Sequence, residues 1–321
     1  MPFKTEKLFV ISEMGLGDAL TLLPALRSLK GIHPDVSIDM LAPGLEPLRD
    51  NVGETALILD HRPLDRIPPS KKRDWLLSKK YGAVWNTENE SSEWRRILDV
   101  EKNPHWISAP PHRTWPRKHV LELRLEQLCS LYPDMNRIGS ATIELTRDQL
   151  RSKKAFRDRF SGDDILIAIQ PGAKDKTKVW PPEKFIELSR RLITMPMVRV
   201  LFFLGLDERN VFDKQLPDTP NILRIEEPLK SILPKLAACD LFIGNDSGFY
   251  HLAFSLGLRA VAIYRSRRNM KVWSHRSPRT RAVCFYLPSP VRRHWTKCIS
   301  VNRVLKASES ILPELASRAE S

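Results

Sequence analysis

Short apolar runs alternate with stretches of helical period along the chain. Leu8, Phe9, Val10 and Ile11 make a continuous apolar run of strand length, followed by a glycine-bearing polar loop over 12–18. Leu20, Leu23, Leu26 and Leu29 then recur at helical spacing, with Gly31 as the stop and Pro24 as either a first-turn residue or a mild kink. Strands are predicted at 36–41, 56–59 and 83–85, a basic helix at 68–80 and an amphipathic helix at 120–131. The pattern restarts with a charged helix at 145–160. Strands at 165–169, 198–204, 241–243 and 260–264 follow. Between them lie helices at 182–192 and 229–238 and one that the loop 205–208 opens and that runs to about 214. A last helix is predicted at 304–319. Buried strands alternating with helices indicate α/β architecture with parallel sheets. Two successive halves are expected, 1–150 and 151–303, with 304–321 as a C-terminal helix packing back on the first half. A ligand is expected between the carboxyl edges of their strands.

The stretch 239–253 is the most informative. Leu241, Phe242 and Ile243 read as a buried strand, Gly244 and Asn245 as a turn tolerating positive φ, and Asp246 and Ser247 as helix caps. Gly248 allows close approach to the backbone, and Gly257 is the expected C′ residue of the helix that follows. A helix N-terminus at the carboxyl edge of a sheet suits a phosphate or diphosphate. His251 lies one turn into that helix, facing back towards the same place.

Composition narrows the classes. The chain has 321 residues, 42% hydrophobic and 28% charged, with a net charge of +14. No apolar run approaches the ~18 residues that span a bilayer. No signal-peptide pattern is present near the N-terminus, so a cytoplasmic location is expected, with peripheral contact at the inner face of the cytoplasmic membrane. Cys129, Cys239, Cys284 and Cys298 are far apart, without metal-finger spacing or a disulfide framework. Basic clusters lie at 71–73, 79–80, 95–96, 265–271 and 276–281. None interleaves aromatics in an RNA-binding pattern, so nucleic acid is not the expected partner; an anionic acceptor or membrane is, with 71–73 and 79–80 capturing it.

Three loops follow predicted strands. In the first, Gly15 and Gly17 precede Asp18, a carboxylate at a helix start that complements the dipole or accepts a proton from a substrate hydroxyl. Its glycines lack the full dinucleotide-binding spacing. In the second, Gly172 precedes Lys174, Lys176, Thr177 and Lys178, cations placed to neutralise a diphosphate leaving group. The third is 244–251.

Three motifs in order resemble glycosyltransferase family 9, the bacterial heptosyltransferase family of lipopolysaccharide core synthesis. They are Met14-Gly15-Leu16-Gly17-Asp18 with Leu22-Leu23-Pro24-Ala25-Leu26, Gln170-Pro171-Gly172-Ala173 with Lys178-Val179-Trp180-Pro181-Pro182-Glu183-Lys184-Phe185, and Gly244-Asn245-Asp246-Ser247-Gly248 with His251-Leu252-Ala253. The resemblance implies a GT-B fold, two Rossmann-like doubly wound parallel-sheet domains facing a central cleft. It implies inverting transfer from a nucleotide sugar, by family default ADP-heptose, onto a surface-glycan or lipopolysaccharide-core acceptor, with no metal and no cofactor. Position by position, Asp18 matches the general base and Lys178 a donor-phosphate lysine. Asp246, Ser247, Gly248 and His251 match the donor-diphosphate motif. Asp207 or Glu208 lies where an acid is expected near the ribose. The chain departs from the family after Tyr264. There it has Arg265-Ser266-Arg267-Arg268-Asn269-Met270, where members carry a glycine-rich Phe-Gly-Pro-Thr type segment. That departure is the support for the alternative, a binding protein of the same fold that has lost transfer. Trp94 and Trp115 lie near Arg95, Arg96 and Arg113, where packing or a sugar contact would each account for them.

Overall fold

The computed structural model describes residues 6–87, 92–110, 118–213, 215–285 and 295–313. The chain divides into two units, Met1–Glu144 and Leu145–Ser321. The division falls six residues before the expected one. It immediately precedes a helix whose start is fixed by a capping box, with Thr146 accepting from Gln149 N–H and the Gln149 side chain accepting from Thr146 N–H.

The first unit is built on five parallel strands, β1 (Lys7–Ile11), β2 (Ser37–Leu41), β3 (Leu57–Ile58), β4 (Ala83–Asn86) and β5 (Trp106–Ser108), in the order β3-β2-β1-β4-β5. Its helices are α1 (Leu16–Leu20), α2 (Leu23–Ile32), α3 (Arg49–Val52), α4 (His61–Asp65), α5 (Pro69–Ser78), α6 (Glu93–Glu101) and α7 (Val120–Cys129). The winding direction reverses between β1 and β4. Phe9 and Ile11 of β1 point into one cluster with Trp94, Leu76 and Leu98, while Leu8 and Val10 are equally buried on the opposite face. That is the two-sided burial a continuous apolar run predicts. The single helix expected after β1 is two. Pro24 stands in the first turn of α2, where its missing N–H costs nothing, and α2 runs through Gly31 to Ile32.

The second unit carries six parallel strands, β6 (Ile165–Gln170), β7 (Val198–Phe203), β8 (Ile222–Ile225), β9 (Leu241–Asn245), β10 (Arg259–Tyr264) and β11 (Thr280–Cys284), ordered β11-β10-β9-β6-β7-β8. Its helices are α8 (Arg147–Arg157), α9 (Pro182–Leu192), α10 (Leu206–Phe212), α11 (Leu229–Ala237), α12 (Gly248–Ser255), α13 (Arg267–Trp273), α14 (Trp295–Cys298) and α15 (Val301–Glu309). The order reverses between β6 and β9, where Gln170 pairs with Gly244. In a doubly wound sheet this reversal opens the crevice at the strands' carboxyl ends.

Three expectations are corrected here. Gly244 and Asn245 do not turn with positive φ; both belong to β9. Gly244 is required for closeness instead, since a Cβ there would lie 2.8 Å from the Gln170 carbonyl and 2.7 Å from the Phe242 ring. Ser247 occupies the cap position of α12 but makes no capping hydrogen bond. Finally, the C-terminal helix α15 packs on α9, β10 and β11 of its own unit. Val304, Ile311 and Leu312 share a core with Ile263 and Trp180. Its apolar face is satisfied there; residues 314–321 lie outside the described ones.

Candidate functional site

The loops after β6 and β9 meet at the reversal point through named bonds. Asn245, the last residue of β9, donates from Nδ2 to the Pro171 carbonyl at 2.6 Å and accepts from the Trp180 N–H at 2.9 Å. One buried amide therefore fixes both ends of the β6 loop. The Gln170 side-chain amide brackets Gly172, donating to its carbonyl at 3.0 Å and accepting from its N–H at 3.2 Å. Ser247 Oγ lies 3.3 Å from that same amide, so its hydroxyl ties the two loops together rather than capping α12.

Within this frame Lys178 reaches across the loops. Its Nζ lies 2.9 Å from Asp246 Oδ2. The Asp246 side chain is 4% exposed and Lys178 26%, so the pair is shielded from water and its cation stays at the rim. The Asp246 N–H donates to the Ile263 carbonyl at 3.0 Å, which seats the α12 entry against β10. Gly248 is the first residue of α12, whose first turn carries the amide groups and positive dipole end that favour an anion.

Glu208 belongs to the same edge. Its Oε2 accepts from the Gly205 N–H at 2.9 Å, and a Cβ on Gly172 would fall 2.5 Å from its Oε1. The Glu208 carboxylate and the Gln170 amide thus both sit against the Gly172 backbone. Lys176 pairs with Asp207 at 2.8 Å and lies 3.9 Å from Glu208. Asp207 therefore serves the loop's lysine, and Glu208 the loop's backbone.

His251 is buried, with its Nδ1 3.0 Å from His275 Nε2. The His275 ring stacks on Phe254 at 3.7 Å between centroids, while the His275 backbone N–H donates to Tyr250 Oη and its backbone carbonyl accepts from Thr280 Oγ1. His251 is thus part of a packed aromatic group with Tyr250, Trp273 and His275.

The second sequence motif divides by role. Trp180 is fully buried, its Nε1–H donates to the Ile299 carbonyl, and its ring meets Phe185 edge-on at 4.9 Å. Lys184 donates to the Thr296 and Ile299 carbonyls. These residues build the unit; Lys178 is the member that faces the loops.

The loop after β1 lies in the first unit. Asp18 is in α1, half-buried, and its carbonyl accepts from Thr21 Oγ1 at 2.7 Å. Gly15 caps α1 and faces open space, whereas Gly17 lies within the helix. The close approach is made by Gly44, where a Cβ would fall 2.6 Å from Leu16 N. Glu13, on the same loop, is held above its ordinary carboxylate range by desolvation, partly offset by the nearby Trp94 indole and the charge of Lys72.

In the basic cluster at 71–73, Lys71 and Arg73 are exposed and Lys72 is partly buried, and two of the three meet carboxylates. Lys72 Nζ lies 2.6 Å from Glu93, and Arg73 pairs with Glu101. Trp94 is core, packed with Phe9 and Trp75; Trp115 and Arg113 lie outside the described residues. Sequence reasoning missed Asn245 as an anchor, Gln170 and His275. The bonds Asn245–Pro171, Ser247–Gln170 and His251–His275 join residues 24–77 apart, so no local pattern marks them.

The model of the family described as glycosyltransferase family 9 (heptosyltransferase) matches residues 117–294. Lipopolysaccharide heptosyltransferase 2 of Salmonella typhimurium is 24% identical over 286 residues, covering 80% of this chain and 82% of that one. A glycosyl transferase of family 9 from Veillonella parvula has the same fold at TM-score 0.77 and 18% identity, covering 98% of this chain and 99% of that one. An Escherichia coli ADP-heptose lipopolysaccharide heptosyltransferase II does so at TM-score 0.74 and 18% identity, covering 97% and 99%. These neighbours carry the GT-B arrangement of two Rossmann-like parallel-sheet domains, and with a family match over more than half its length this chain belongs to glycosyltransferase family 9.

Proposed function

We propose that the protein transfers heptose from ADP-heptose to a lipopolysaccharide-core or related surface-glycan acceptor, with inversion and without a metal ion. The observation that carries this reading is the Lys178–Asp246 pair beside Ser247 and the first turn of α12, an ion pair and a helix N-terminus at the reversal point of a doubly wound sheet. The names of the Salmonella and Escherichia coli relatives support the sugar and the acceptor class.

The second unit holds the donor. Lys178 and the amides opening α12 take the diphosphate, and Glu208 receives ribose hydroxyl bonds. The first unit supplies the base. Asp18 takes the proton of the acceptor hydroxyl as its oxygen attacks the anomeric carbon from the face opposite the diphosphate. The new C–O bond forms as the bond from the anomeric carbon to the phosphate oxygen breaks, and the electron pair leaves with ADP. Lys178 and the α12 dipole stabilise the charge that develops there, which is the role a divalent ion would otherwise fill. Among the described residues no helix is long and apolar enough to cross a membrane. A glycolipid acceptor would then be met at the surface, and contact with an anionic membrane is part of this proposal.

The test is ADP release from ADP-heptose with a core oligosaccharide acceptor. Asp18→Asn is expected to lower turnover by about 10²–10⁴-fold while ADP binding persists. Near-normal turnover of that variant would overturn the base assignment; wild-type protein that neither binds ADP nor releases it would overturn the function.

A further inference from the structure

The segment after β10 departs from its family pattern, and the structure shows what its first residue does. Arg265 is partly buried at the carboxyl end of β10, and its guanidinium donates to Thr177 Oγ1. Thr177 belongs to the single 3₁₀ turn Lys176–Lys178, whose last residue pairs with Asp246. The turn is therefore held from β9 through Asp246 and from β10 through Arg265. Asp175 caps it, held below its ordinary carboxylate range by hydrogen bonds from Thr177 and by the charges of Lys178 and Arg265.

The charges on these loops decide what Arg265 is for. Lys174, Lys176 and Lys178 share them with Asp175, Asp207, Glu208 and Asp246. Those three lysines and four carboxylates give these loops no net positive charge of their own. The segment after β10 adds Arg265, Arg267 and Arg268, and Arg265 is bonded to the β6 loop through Thr177. The bond to Thr177 uses one of the five N–H donors of a planar fork that matches phosphate oxygens. It also holds the guanidinium in place before a ligand arrives, which lowers the ordering cost of binding.

We propose that Arg265 is a donor-binding residue that takes the diphosphate of the nucleotide sugar together with Lys178. This rests on the nucleotide-sugar reading above. Because the arginine stands at the surface end of a strand, its replacement leaves the core intact.

The test uses the full chain, with ADP and adenosine as probes in titration calorimetry at low salt, and Tm of each variant as a folding check. Arg265→Gln is expected to raise the Kd for ADP about 10- to 100-fold, the range for losing a charged hydrogen-bond partner. Its Kd for adenosine stays near the wild-type value. Arg265→Lys, which keeps the charge but loses the fork, is expected to fall between the two. Equal weakening of ADP and adenosine by Arg265→Gln would make Arg265 a loop anchor only and overturn the proposal, as would an unchanged Kd for ADP. Wild-type protein that fails to bind ADP overturns the nucleotide-sugar reading itself. Wild-type binding with undiminished Arg265→Gln binding overturns only the role of Arg265.

Discussion

Lys178 Nζ lies 2.9 Å from the buried carboxylate of Asp246, joining the loop that follows β6 to the one that follows β9. The pair has both a structural and a ligand-facing consequence. Removing Lys178 leaves a carboxylate of 4% exposure without its counter-ion. Lys178→Ala is therefore expected to lower stability as well as ADP affinity. In a double-mutant cycle with Asp246→Asn, the stability coupling should be about 0.5–3 kcal/mol, measured by urea unfolding. Additive effects would show that the pair is not energetically joined.

His251 and His275 make a second buried pair, their facing ring nitrogens 3.0 Å apart. One ring donates and the other accepts. His275→Phe keeps the stacking surface against Phe254 but leaves the His251 Nδ1 position without that partner. Unfolding free energy is expected to fall by about 1–3 kcal/mol, the cost of an unmet buried polar group. His275→Gln, which restores an amide donor and acceptor at similar reach, should recover part of it. Equal stability of the Phe variant and the wild type would show that the ring-to-ring bond contributes nothing.

His61 gives the first unit a pH dependence of predictable sign. Its Nδ1 lies 2.6 Å from Glu46 Oε1, and that bond holds the imidazole above its ordinary value of 6.5, with Asp65 and Asp60 acting in the same direction. A raised folded-state value means that the protonated form is favoured by the fold. The contribution is complete below about pH 6.5 and is lost as pH rises through the higher folded value. Tm should therefore decline across that window, and Glu46→Gln should flatten the decline. A Tm profile of the same slope in both proteins would assign the pH dependence elsewhere.

Turnover is expected to persist in EDTA. On the proposed mechanism Lys178, Arg265 and the first turn of α12 would supply the charge that a metal would bring to the leaving group. Loss of activity in EDTA, restored by adding back a divalent cation, would overturn metal independence.

Strand and helix periods by themselves determined the alternating α/β order, because a strand buried on both faces must be apolar throughout and a surface helix must be apolar on one side. Leu8 to Ile11, Ile165 to Ile169 and Ala260 to Tyr264 stand in strands where that pattern put them. The marginal strands β5, β8 and β11 were not legible, since Trp106–Ser108 and Ile222–Ile225 are short and β11 opens on Thr280 and Arg281, leaving an apolar run of only three residues. The motifs pointed to Lys178, Asp246, Ser247 and Gly248, and the parallel order β10-β9-β6 places their loops at one edge. Only the tertiary structure decided what each side chain does there. Ser247 meets Gln170 instead of capping, Gly244 lies within a strand, Lys72 and Arg73 meet carboxylates, and Arg265 meets Thr177. Each depends on a partner between 21 and 88 residues away or on the backbone of a neighbouring strand. Periodicity reports which face of an element is buried, and carries no information about which distant polar group will meet it.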